Sequence, residues 1–185
     1  LTVKTNSWAK KATIRFAARI ALLLCAACGG SNRDADHPAA GASTIALGPA
    51  VDFAFDSLDD RSVSAEAMRG KPTVVAFVTT GSLPAQAQVA FLVAMAKNDA
   101  QRVNYVVVAL DSRENRELVE LYAKSLSIPF PVAVADNQTR AGSGPFGDVT
   151  SVPVTVLLDR AGRAIWRIGG RVAKSDEIRA AMRGL

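Results

Sequence analysis

Cysteine and histidine are scarce: the 185 residues hold two cysteines and one histidine. A zinc site takes about four such ligands, so Cys25, Cys28 and His37 are too few, and neither a metal nor a cofactor is expected. Both cysteines sit in LLLCAACGG, residues 22–30, which leaves no pair for a disulfide later in the chain. A long apolar run is missing from the N-terminal part. The stretch from Ile20 to Ala27 is stopped by Arg19, short of the roughly 20 apolar residues that span a membrane. Acid is missing too: residues 1–27 carry Lys4, Lys10, Lys11, Arg15 and Arg19 and no Asp or Glu. Taking these five from the 22 Lys and Arg leaves 17 against 17 Asp and Glu. A chain starting at Cys28 is therefore neutral, the excess charge belongs to the leader, and no nucleic-acid partner is expected.

That leader has a basic start, a short apolar run and small residues after it, the layout of a secretory signal. Its end, Cys25-Ala26-Ala27-Cys28-Gly29, resembles a bacterial lipobox. The resemblance implies that residues 1–27 are a signal peptide and that Cys28 is lipidated as the mature N-terminus. Cys25 follows the bulky Leu24 and fits less well, although it also stands where a lipobox usually has leucine. The implied location is the bacterial cell envelope, facing outward on the periplasmic side, with Gly29 favouring the outer membrane. An ordinary signal peptide or an uncleaved anchor is the alternative. A redox C-x-x-C is disfavoured, because lowering a thiol pKa takes a folded scaffold and this pair lies in an apolar leader.

Residues 28–49, rich in Gly, Ala, Ser, Asp and Pro, show neither helical nor strand periodicity and are expected to form a flexible tether in which His37 is solvated. Residues 50–185 then form one domain. VDFAF at 51–55 alternates as a half-buried strand, with a turn at Asp59-Asp60 and a helical turn over 64–69. TVVAFV at 73–78 has the β-branched, apolar character of a strand buried on both faces. A helix opens near Pro84, with Ala85, Val89, Leu92, Val93 and Ala96 on one face. Strand 103–110 and helix 114–126 follow, the latter expected to bury Leu118, Leu121, Tyr122 and Leu126. Strands at 132–135, 154–158 and 164–168 and a last helix capped by Ser175 complete an α/β domain.

VDFAFDSLDDRSVSAEAMRGKPTVVAFV and SVPVTVLLDRAGRAIWRIGG resemble segments of the membrane-anchored bacterial thioredoxin-like proteins of the TlpA kind. The resemblance covers about residues 50–172. It implies a thioredoxin-like fold with a central mixed sheet flanked by helices, and thiol-disulfide exchange by a C-x-x-C that follows TVVAFV. This chain has Gly81-Ser82-Leu83-Pro84-Ala85 there, so Ser82 stands at the attacking position and Ala85 at the resolving one. Thr79-Thr80-Gly81-Ser82 matches the T-x-x-C spacing of peroxiredoxins, again with Ser82 in place of the thiol.

Exchange needs a thiolate attacking a disulfide sulfur. A serine hydroxyl is barely ionised at neutral pH, and its oxygen cannot form a disulfide. A serine nucleophile of another kind needs a general base, and the domain holds no histidine. Lys97 and Lys124 are expected on solvated helix faces, which leaves Ser82 as a helix N-cap. What remains is binding. The family offers the backbone before its cis-proline to an extended peptide, and Val152-Pro153 carries those positions. Fixing the loop that enters a strand is their alternative role. The function expected is a lipid-anchored, redox-inactive module for an envelope protein or extended peptide. The alternative is a thiol-disulfide oxidoreductase or peroxiredoxin-like redoxin that works with a partner's cysteines. Asp59-Asp60 is expected to be a turn, Gly142-Ser143-Gly144 a loop, and Trp166 a packing residue.

Overall fold

The computed structural model describes residues 43–44 and 48–185. Cys25, Cys28 and His37 lie outside the described residues. In chain order the elements are β1 (Ser43–Thr44), β2 (Ala54–Ser57), β3 (Val63–Ser64), α1 (Ala65–Met68), β4 (Thr73–Val78), α2 (Leu83–Asp99), β5 (Asn104–Ala109), a single turn of tighter helix (Arg113–Asn115), α3 (Arg116–Ser125), β6 (Val132–Val134), α4 (Asn137–Arg140), β7 (Val154–Leu158), β8 (Ala164–Gly169) and α5 (Ser175–Met182).

β4 is the axis of the sheet, and every residue of it is buried. It pairs in parallel with β5, Thr73 opposite Asn104 through Val78 opposite Ala109. On its other edge it pairs antiparallel with β7, Phe77 opposite Val154 and Thr73 opposite Leu158. The mixed sheet runs β1-β8-β7-β4-β5-β6-β2-β3. Because successive side chains of a strand point to opposite faces, β4 feeds two cores. Val74, Ala76 and Val78 meet Val89, Leu92 and Met95 of α2, Val119 and Tyr122 of α3, and Ile178 of α5. Val75 and Phe77 meet Phe53, Phe55 and Phe146 on the other face, where Phe146 sits 5.0 Å from Phe77 and 5.2 Å from Phe53 between ring centroids. Each fully buried aliphatic side chain, such as Leu92 or Leu157, stabilises the fold by about 1.5–3 kcal/mol.

The expected α/β order is present, with four differences. Leu118 and Leu121 are 49% and 62% exposed, not inward. The inner face of α3 is Val119 together with the expected Tyr122, with Leu126 partly buried against the core, and placing Val119 inward turns the two leucines to solvent. Lys174, not Ser175, is the N-cap of α5, and its backbone N–H donates to the Glu177 carboxylate at 2.9 Å. Within the expected tether, Ser43–Thr44 pair with Arg167 and Trp166 of β8, and just past it Ala50 bridges Arg163. Backbone donors and acceptors on an open strand edge recruit a partner without any hydrophobic pattern. The short β3 and α4 also carry too few residues for periodicity to show. The turn over Asp159–Gly162 is closed by Gly162 N–H donating to the Asp159 carbonyl at 3.0 Å, with Gly162 at φ +83°, a region glycine enters without a Cβ clash. No helix among the described residues is long and apolar enough to cross a membrane.

Candidate functional site

β4 leaves the sheet at Val78, and the chain turns through Thr79–Gly81 into α2. The turn is closed by Ser82 N–H donating to the Thr79 carbonyl at 3.2 Å. Asp111, just past β5, fixes it from the side. One carboxylate oxygen accepts the Thr80 N–H at 3.1 Å and the other the Thr80 hydroxyl at 2.7 Å. This parallel-strand crossover places the N-terminus of α2 at the end of the sheet where β4 finishes.

Ser82 is the N-cap of α2. Its Oγ accepts the Ala85 N–H at 3.3 Å, and Pro84 occupies the first turn, where a missing N–H costs nothing. Ala85 is fully buried, whereas Leu83 is 76% exposed. Val152 and Pro153 are joined by a cis peptide bond, with Pro153 buried and Val152 half-buried. Since Val154 is opposite Phe77, this bond enters β7 at the same end of the sheet from which β4 runs toward Ser82. The structure thus brings Ser82, Ala85 and Val152-Pro153 to one end of the sheet.

The chemistry available there is limited. Ser82 uses its oxygen as a cap. Lys97 is in the last turn of α2, fifteen residues on and about 22 Å along the axis at 1.5 Å per residue. Lys124 is exposed near the end of α3. The nearby carboxylate, Asp111, is engaged by Thr80. Among the described residues no group of three or more His, Cys, Asp or Glu could hold a metal ion.

Beside the turn lies a shallow depression of about 360 Å³ lined by Thr80, Gly81, Leu118, Leu121, Tyr122 and Ser125. A Cβ at Gly81 would meet nothing within 4 Å. The Tyr122 hydroxyl is buried without a hydrogen-bond partner. Burial, and then the charge of Asp111, push its pKa up to about 12, so the phenol stays protonated and offers a donor. Ser82, Ala85 and Val152-Pro153 are legible as motif positions in the sequence, whereas Asp111, Tyr122 and the exposure of the leucines are not. Asp111 carries a faint signal as an acid directly after an apolar strand. Tyr122 carries none, because its orphan hydroxyl depends on tertiary packing.

The architecture matches solved structures at the level of the fold. A DsbF homologue from Corynebacterium diphtheriae superposes with a TM-score of 0.68 at 16% identity, covering 80% of this chain and 96% of that one. The fold is thioredoxin-like. A thioredoxin-family thiol:disulfide interchange protein from Chlorobium tepidum matches at TM-score 0.63 and 22% identity, over 76% of this chain and 97% of its own. StoA from Bacillus subtilis matches at 0.57 and 18%, over 71% and 96%. No family model matches the sequence, and no curated protein matches it. Within this thioredoxin-like domain, the end of the sheet that carries Ser82 is where the resemblance places the redox pair.

Proposed function

We propose that the chain is an extracytoplasmic thioredoxin-fold protein that has exchanged thiol chemistry for binding, holding an extended peptide or protein segment at the Ser82 end of the sheet. The observation that carries this reading is the pairing of Ser82 and Ala85 at the start of α2: one is a capping hydroxyl and the other a buried methyl, so neither can form or resolve a mixed disulfide. The exposed Leu83, Leu118 and Leu121 support binding, because the side chains of an extended segment supply apolar contacts. Lipidation at Cys28, on the lipobox pattern, holds the domain at the membrane, and the secreted thiol-disulfide isomerase of Corynebacterium glutamicum among the similar folds agrees with an outward location.

A second reading has one observation in its favour, namely that the similar solved structures include thiol-disulfide oxidoreductases. On that reading both sulfurs come from a partner, and this chain only positions them. The test uses the full chain with a photo-crosslinking residue at position 83, expressed in cells, alongside an insulin reduction assay. The binding reading expects no turnover and a crosslinked envelope protein that is lost in a Leu118→Asp, Leu121→Asp variant. Turnover dependent on added dithiol protein supports the second reading, and a crosslink indifferent to both substitutions contradicts the first.

A further inference from the structure

At the end of the sheet opposite Ser82, four arginines from three segments surround one cavity. Pro72 leads into β4 and Val103 into β5. Asp99 and Arg102 lie at the end of α2 and just beyond it. Arg160 sits in the turn between β7 and β8, and Arg179, Met182 and Arg183 come from α5 and its C-cap. Together with Leu185 they line about 450 Å³. Pro72 and Val103 are buried, while Arg102, Arg160, Arg179 and Arg183 are exposed. The result is an apolar floor under a basic rim.

Among the described residues Asp99 is the only acidic side chain in that lining, and its contacts are long, 3.4 Å to Arg102 and 3.8 Å to Arg179. Arg160 gives one N–H to the Leu185 carbonyl oxygen at 3.2 Å. Two helix C-termini, α2 and α5, contribute about half a negative charge each. Subtracting these, Asp99 and even a terminal carboxylate at Leu185 from four guanidinium groups still leaves the cavity positive. Most of the guanidinium N–H groups, each arginine presenting five donors in a planar fork, have no acceptor there among the described residues. Arginine stays charged at every relevant pH, and its fork matches the geometry of tetrahedral oxyanions.

We propose that this cavity binds a phosphate-class oxyanion, either a free phosphate or the phosphate of a lipid headgroup, with the apolar floor of Pro72, Val103 and Met182 beneath the organic part of an ester. The proposal is independent of peptide binding at the Ser82 end, because β4 separates the two places by its six residues, about 20 Å of strand.

The test uses the full chain at low ionic strength in two arms, titration with inorganic phosphate followed by NMR of arginine Nε–Hε groups, and co-sedimentation with vesicles of phosphatidylglycerol in phosphatidylcholine. Arg160→Gln with Arg183→Gln is compared with Arg69→Gln with Arg113→Gln, which removes the same charge from outside the cavity and so accounts for attraction through the basic leader. Wild type is expected to saturate in at least one arm, the cavity variant to bind at least tenfold more weakly, and the control variant to stay within twofold of wild type. Saturation by inorganic phosphate assigns a free ligand, and saturation by vesicles alone assigns a headgroup. Arg102→Gln, whose side chain is 81% exposed, gives a second reading should the double variant fail to fold. Saturation in neither arm, or equal weakening of cavity and control variants, overturns the proposal.

Discussion

Gln88 and Ala173 exchange two hydrogen bonds inside the core. The Ala173 N–H donates to Gln88 Oε1 at 2.6 Å, and Gln88 Nε2 donates to the Ala173 carbonyl at 3.3 Å. Both residues are fully buried, so this amide satisfies a backbone donor and acceptor that water cannot reach. It ties the middle of α2 to the segment leading into α5.

Replacing Gln88 with Leu keeps roughly the volume and leaves both Ala173 groups unpaired. An unsatisfied buried polar group costs about 1–3 kcal/mol, so Gln88→Leu is expected to lose about 2–5 kcal/mol. Urea denaturation checks this: the midpoint should fall while the slope stays that of wild type. An unchanged midpoint would show that the pair contributes nothing beyond its packing.

The entry of the chain into α5 is pH-sensitive through Glu177. Arg171 donates to both of its carboxylate oxygens, at 3.0 and 2.7 Å, and Lys174 N–H adds a third bond. These contacts, the Arg171 hydrogen bonds foremost, hold the Glu177 carboxyl down at about 2 from its ordinary 4.5. A lowered folded-state pKa contributes stability that is complete above pH 4.5 and is lost as pH falls toward 2. With the side chains 38% and 28% exposed, screening reduces the contribution to about 1 kcal/mol. Glu177→Gln is expected to melt about 2–4 °C lower than wild type at pH 7 and to converge with it near pH 2. Parallel melting curves at both pH values would rule the linkage out.

How much of this was legible in the sequence depended on how far apart the interacting groups lie along the chain. TVVAFV announces a central strand by composition alone, and Ser82 followed by Pro84 announces a helix start, because caps and strands are local. On α3 the sequence pattern places Tyr122 inward correctly but takes Leu118 and Leu121 inward and leaves out Val119, because the leucines are as apolar as the Val119 that packs inward. Asp111 meets Thr80 across 31 residues, and Gln88 meets Ala173 across 85. No spacing rule reaches that far. The arginine cavity draws on the ends of α2 and α5 and the β7–β8 turn, which only strand order brings together.

On the proposed lipoprotein reading, membrane retention depends on Cys28 and not on Cys25. Cys28→Ser is expected to release the chain into the soluble fraction, while Cys25→Ser should leave it membrane-bound. A lipobox product carries more than one acyl chain, enough for stable anchoring where a single chain binds only marginally. Fractionation followed by mass analysis of the N-terminus measures this. Equal retention of wild type and Cys28→Ser would falsify the lipoprotein reading.

Restoring sulfur to the Ser82 end of the sheet tests the assignment of that site. Ser82 and Ala85 are the N-cap and third residue of α2, and positions so placed fall within the Cα separation of about 4.4–6.8 Å that a disulfide spans. A cysteine in place of Ser82 would sit at the positive end of the helix dipole, which favours the thiolate. One in place of Ala85 would be buried, as Ala85 is, and shielded from outside thiols. The Ser82→Cys, Ala85→Cys variant is therefore expected to close an internal disulfide under oxidising conditions and to reduce insulin measurably, where wild type does neither. Gly81 stands where the resembling family has an aromatic residue, so turnover is expected to be slow, and disulfide formation is the sharper readout. Cys25 and Cys28 are replaced by serine in the same chain, so that only one pairing is possible. Two free thiols in an oxidised variant that melts like wild type would mean that Ser82 and Ala85 do not occupy the positions of a redox pair.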